Sequence, residues 1–217
     1  MSNVTTIIVN PVPPALPVAP TDYSRTYVDQ LNNVLRLYFN KLSAALSALL
    51  DQSGAKYLSL PCGSFFSNTS TTLSANVVTT LTLNNTDANA TIDTALSNGS
   101  VQVTYPGVYN YQFSAQFENN DSQAHDIDVW ARVDGNNVYE SATQLTIPSK
   151  HGGRNGAAVA AWNFFLVAEA NSTFDLVVAA SHPDVRVASL PALSSPFVRP
   201  SIPSLITTVT FVSRLPA

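Results

Sequence analysis

Three patterns of hydrophobic and polar positions follow one another along the chain. Residues 1–21 show no period and are interrupted by Pro11, Pro13, Pro14, Pro17 and Pro20. Proline locks φ and removes a backbone donor, so this stretch is predicted to be an extended arm. Within residues 22–52, Val28, Leu31, Leu35, Tyr38, Leu42, Ala45 and Leu49 recur at alternating steps of three and four. That spacing is a heptad seam, the mark of helices wound about one another. Thr21, Asp22 or Ser24 can cap its start. Phe39, Leu46 and Leu50 widen the stripe, which favours more than two helices, so a trimeric coiled coil is expected.

From residue 57 onward the period falls to two. Over residues 107–117, Tyr109, Tyr111, Phe113, Ala115 and Phe117 alternate with Asn110, Gln112, Ser114 and Gln116. One face is apolar and the other polar, as in a half-buried antiparallel strand. Ile127, Val129, Ala131 and Val133 alternate with Asp126, Asp128, Trp130 and Arg132, and Asp134-Gly135 then predicts a hairpin turn. Further strands are predicted near residues 65–66, 77–83, 101–105, 138–147, 158–168, 174–180, 185–190 and 205–213. This count implies an antiparallel sandwich or barrel in one domain, residues 57–217. Pro191, Pro196, Pro200 and Pro203 make residues 190–204 a long stiff loop.

Composition sharpens this picture at one point. Only 11% of the 217 residues are charged, against 45% hydrophobic. A typical soluble domain carries about 25% charged residues, so part of this surface is expected to lie inside an assembly. The net charge is −4, with no basic run, which argues against nucleic acid as a partner. No apolar stretch is long enough to span a membrane, and the first residues lack the pattern of a signal peptide. A single cysteine, Cys62, precludes an intrachain disulfide.

The segment Tyr105-Pro-Gly-Val-Tyr-Asn-Tyr-Gln-Phe113 resembles the Pro-Gly-x-Tyr-x-aromatic strand of trimeric jelly rolls related to complement and tumour necrosis factor. Residues 129–138 and 162–176 resemble the strands that follow in that family, and Phe211 falls in its final strand. The resemblance implies a jelly-roll sandwich packed about a threefold axis. The proline-rich start, residues 33–40 and the strands with Tyr-Asn-Tyr-Gln-Phe and Ala-Ala-Trp-Asn-Phe are also similar to structural proteins of tailed phages. That second resemblance implies a homotrimeric virion protein, a head fibre or capsid decoration at the virion surface. In it, Ile7, Ile8, Val9, Pro11, Pro13 and Pro14 would dock on a capsid or tail protein and the jelly roll would be displayed. A tail-fibre or spike protein that binds a host glycan is the alternative.

Candidate chemistry is sparse, and neither an enzyme nor a cofactor is expected. No nucleophile elbow, zincin motif or phosphate loop occurs. The histidines are His125, His151 and His182. Alternation places Asp126 and Asp128 on the face opposite His125, so no metal site is predicted there. Residues 150–156 combine Lys150, His151 and Arg154 with three glycines, a loop suited to an anion or an acidic sugar. Trp130, among polar positions, is the candidate aromatic contact for a ligand. Trp162 is expected in the core.

Overall fold

The computed structural model describes residues 12–18, 20–50 and 60–215. It divides into two compact units, Met1–Ser59 and Leu60–Ala217.

In the first unit, α1 spans Arg25–Leu50. Ser24 is the cap among the three candidates: its Oγ accepts the Tyr27 N–H at 3.3 Å, and its carbonyl accepts the Val28 N–H. This satisfies donors that a helix start otherwise leaves orphaned. The helix is not long and apolar enough to cross a membrane.

The second unit is an antiparallel β-sandwich, the jelly-roll arrangement expected, preceded in the chain by that helix. In chain order its strands begin with β1 (Cys62–Ser67), β2 (Thr71–Thr72), β3 (Thr79–Leu81), β4 (Asn85–Thr86) and β5 (Thr94–Ser97). They continue with β6 (Ser100–Val103), β7 (Gly107–Asn119), β8 (His125–Val133), β9 (Asn136–Asn137) and β10 (Thr143–Ile147). The last are β11 (Gly156–Ala168), β12 (Thr173–Ala180), β13 (Val185–Val187) and β14 (Leu205–Ser213). One sheet runs β2-β13-β7-β14-β1-β4, with β11 on the other side of β7. The other runs β10-β8-β12-β6-β5, with β3 also on β12 and β9 on β8.

The two-residue period decides what lies between the sheets. Tyr109, Tyr111, Phe113, Ala115 and Phe117 of β7 are all buried, facing Ile127, Val129 and Ala131 of β8 and Phe174, Leu176 and Val178 of β12. Phe174 meets Tyr109 and Tyr111 edge-on, at ring distances of 5.9 and 5.7 Å, and Phe211 meets Tyr109 at 5.4 Å. Edge-to-face pairs add about 0.5–1.5 kcal/mol each beyond the area they bury. Burial pushes the Tyr111 hydroxyl well above the usual phenol range.

Strand ends depart from the sequence pattern where side chains replace strand partners. Of residues 138–147, only Thr143–Ile147 pair. Ahead of them, buried Ser141 accepts the Ala131 N–H at 3.1 Å and donates to the Val138 carbonyl at 2.9 Å. Residues 190–204 are not a free loop: Leu190 bridges Ile202 and Leu193 bridges Arg199. The Asp134-Gly135 turn is as predicted, with φ of 51° and 76°. Its aspartate does more than turn the chain. Asp134 Oδ1 accepts the Thr173 N–H at 2.7 Å and Oδ2 accepts the hydroxyl of buried Ser172 at 2.8 Å.

The Thr173 N–H, with the Ser172 hydroxyl, holds the Asp134 carboxyl below the usual range. A depressed folded-state pKa contributes stability above the unfolded pKa, and that contribution is lost as pH falls through the folded value. Asp134→Asn keeps a side chain that tolerates positive φ and removes the charge. It is expected to cost about 1 kcal/mol at pH 7. The gap from wild type should narrow as pH falls below the usual carboxylate range, as read by urea unfolding across an acid pH series.

Candidate functional site

A run of exposed apolar side chains on the sandwich is built on β11. This strand pairs with β7 over its whole length, Gly156 opposite Asn119 through Ala168 opposite Gly107. Its other edge pairs no strand among the described residues. None of its thirteen residues is charged and none is proline. Native edge strands are normally protected by charges, prolines or bulges against pairing with another chain. Here the opposite holds. Val159, Phe165 and Val167 point outward and are more than half exposed. Trp162 and Phe164 have the inward parity of Phe113 and Tyr111, their partners, yet Trp162 is 40% exposed. The expectation that Trp162 is core is therefore corrected. It lies on the core side of its sheet, and its ring stands 6.2 Å from Phe113 at the open margin.

The helix shows the same deficit. Among its described side chains, Val28, Leu31, Leu35, Tyr38, Leu42 and Ala45 are half-buried and none is fully buried, while Phe39 and Leu46 are about half exposed. The Leu49 side chain lies outside the described residues, as do Ile7, Ile8, Val9 and Pro11. Of the predicted docking arm, Pro13 and Pro14 are described. Pro14 and Val12 share a shallow groove with Val34, Leu37, Tyr38 and Lys41 of the chain's own helix.

The candidate ligand contacts do not form one site. Trp130 lies on the outer face of β8, opposite Val177, which is fully buried. Its Nε1 donates to Asn137 Oδ1 at 2.8 Å; Arg132 Nε donates to the same oxygen at 2.7 Å. The Arg132 guanidinium stands 6.0 Å from the indole centre. Trp130 Nε1 and Arg132 Nε thus share one acceptor, and the indole is half-buried. Lys150, His151 and Arg154 belong to a tight hairpin instead. His151 and Arg154 exchange backbone bonds of 3.0 Å, and Gly152 and Gly153 take positive φ. The Lys150 N–H donates to the Asp121 carbonyl, beside the start of β8, and Lys150 Nζ donates to Asn120 Oδ1. Trp130 is five residues further along β8, about 17 Å away along an extended strand.

Next to that hairpin the structure gathers groups that local sequence patterns do not connect. His125 Nε2 lies 2.7 Å from Asp121 Oδ2. The His125 ring stacks on His182, centroids 4.2 Å apart and planes within 6°. His182 Nδ1 is 3.4 Å from Asp184 Oδ2. The His125 hydrogen bond, aided by the Ser122 N–H, holds the Asp121 carboxyl below its usual range. The base of the cluster is Asn119, the last inward residue of β7 and fully buried. Its Nδ2 donates to the carbonyls of Gln123 (2.7 Å) and Pro148 (3.1 Å), and its Oδ1 accepts the Asp121 N–H (2.9 Å).

No protein-family model matches the chain, and no curated protein does. Among solved structures, the Eiger TNF from S. frugiperda is similar at 12% identity, covering 73% of this chain and 96% of that one, with a TM-score of 0.45. The globular domain of zebrafish complement 1qA is similar at 13% identity, covering 72% and 100%, with a TM-score of 0.38.

Asn119→Ala removes a side chain that satisfies four backbone groups, the carbonyls of Gln123, Ile147 and Pro148 and the Asp121 N–H, at a fully buried position. A loss on the order of 3 kcal/mol is expected in urea unfolding, since each orphaned group costs about 1–3 kcal/mol. A change below about 0.5 kcal/mol, the range of an ordinary surface site, would mean the loop orders itself without Asn119.

Proposed function

We propose that the chain is a homotrimeric structural and display protein, a component of a tailed-phage particle. The observation that carries the trimer is the helix. A heptad stripe runs from Val28 to Ala45, and not one described side chain on it is fully buried within its own chain. Helices in proteins draw most of their stability from packing an apolar face. Two sister helices supply that packing, and the breadth of the stripe suits three strands better than two. The uncharged β11 edge, with Trp162, Phe165 and Val167, gives the sandwich its own surface for a neighbouring copy.

The particle assignment rests on the likeness of residues 33–40 and of the strands around Tyr109–Phe113 and Trp162 to tailed-phage structural proteins. In this reading the arm attaches to a capsid or tail protein and the jelly roll is presented at the virion surface, as a head fibre or decoration. A second reading, host-glycan binding on a tail fibre or spike, is favoured by the Trp130 platform beside Arg132, since flat aromatic faces stack on sugar rings. The Lys150–Arg154 hairpin would be a separate contact in that reading.

Light scattering should give three chains per particle at micromolar concentration. Leu35→Glu with Leu42→Glu should shift the mass toward one chain, because charges at two successive a positions cannot be shielded in a bundle. A wild-type monomer would overturn the trimer. Gold-labelled antibody on purified phage particles tests the location separately; label on the head supports a fibre or decoration, and no label overturns the virion role. Trp130→Ala should abolish any signal on a glycan array while leaving the mass unchanged, and a chain silent on the array removes the second reading.

A further inference from the structure

We infer that Asp121, His125 and His182 form a binding site for a divalent metal ion of borderline softness, such as Zn2+. The three residues come from separate elements: the turn after β7, the first residue of β8, and the turn after β12. One ligand atom from each lies within 4.8 Å of the other two. Two imidazoles and a carboxylate are a donor set suited to Zn2+, with water completing four-coordination. Ca2+, which takes six to eight oxygens, is poorly served by it.

The backbone around the three residues is held in place by bonds to neighbouring groups. Asn119 fixes the Asp121 turn from beneath, and the Lys150 N–H fixes the Asp121 carbonyl at 2.7 Å. Asp126 and Ser181 join the start of β8 to the end of β12, through Asp126 N–H to Ser181 Oγ and Ser181 N–H to the Asp126 carbonyl. His125 and His182 are thereby brought together by hydrogen bonds one residue away from each. The His182 ring makes no hydrogen bond to His125 or Asp121. Its Nδ1 accepts the Asp184 N–H at 3.4 Å and lies 3.4 Å from Asp184 Oδ2, so the turn itself holds the ring.

Occupation needs two small adjustments. The ion takes the place of the proton between His125 Nε2 and Asp121 Oδ2. Two ligands each about 2.0–2.1 Å from a tetrahedral ion stand roughly 3.3 Å apart, so the 2.7 Å pair must open slightly. The ion must also lie in the plane of each ring, so the parallel rings must splay. His182, on a turn with its side chain 39% exposed, has room to rotate, whereas His125 at 13% does not. A bound ion would clip the β7–β8 turn to the β12–β13 turn.

The full chain, stripped with a chelator and dialysed, should take up one Zn2+ per chain by calorimetry and melt at a higher temperature with it, while CaCl2 gives neither effect. His182→Ala should weaken Zn2+ at least tenfold, and so should Asp121→Asn. His182 lies outside the core, so its variant folds, which circular dichroism verifies. His151→Ala, in the adjacent exposed hairpin, should leave affinity unchanged. Absence of Zn2+ binding up to millimolar concentration overturns the site. So does a His182→Ala chain that binds like wild type, or a His151→Ala chain that loses binding equally, since either places the ion on other groups.

Discussion

Strand β7 is the constraint on which the rest of the sandwich depends. It pairs with β11 over its whole length on one side and with β14 and β13 in succession on the other. A strand paired on both sides cannot slip by one residue without turning Tyr109, Tyr111, Phe113 and Phe117 out of the core. Because its register is locked, so is that of β11, and the position of every residue on the free edge follows. The apolar character of that edge is therefore a property of a fixed surface and not of a loose strand. Asn119 is locked by the same register. It falls at the end of the inward row, where the core gives way to turns, and there its amide meets backbone groups that an apolar side chain would have left unpaired.

The sparse charge of the chain takes on a location in this framework. A sandwich can carry few charges because its outward polar positions are uncharged, as at Asn110, Gln112, Ser114 and Gln116 of β7. It can also be uncharged because apolar side chains stand exposed. Both occur here, on adjacent strands. Gln112 and Ser114 of β7 are flanked on β11 by Asn163 and Ala161, while Phe165 and Val167 stand a few residues further along. The second kind of surface carries information about association, and it recurs on α1, where Phe39 and Leu46 extend an already unburied seam.

Much of this was legible from alternation alone. β14 spans the residues expected of it, 205–213, and β7 extends the expected strand by two, to Asn119. Long, strictly alternating segments are legible because one face must be buried along their whole length. Short pairings are not: β2, β4 and β9 have two residues each and too few side chains to show a period. The β5–β6 hairpin was missed although Asn98-Gly99, with φ of 52° and 86°, is a strong turn signal, because Thr94–Ser97 is only partly apolar. Trp162 was misread for another reason. Parity assigns it to the inward face correctly, but parity does not say how far the opposite sheet extends.

The Asp121, His125 and His182 cluster was illegible for a reason of the same kind. Alternation sorts residues along one strand, and it set His125 apart from Asp126 and Asp128 correctly. It is blind to residues that approach through turns, and every partner of His125 does so. The position of the cluster also separates it from self-association. It sits at the Asn119 end of β7, where Gly156 begins β11. Phe165 pairs with Asn110, nine residues along the strand and about 30 Å from that end. A neighbouring copy seated on Phe165 and Val167 would leave the three ligands open to solvent. Conversely, an ion bound by them would tie turns within one chain without touching the apolar edge. The two proposals thus rest on separate residues, and each stands or falls on its own.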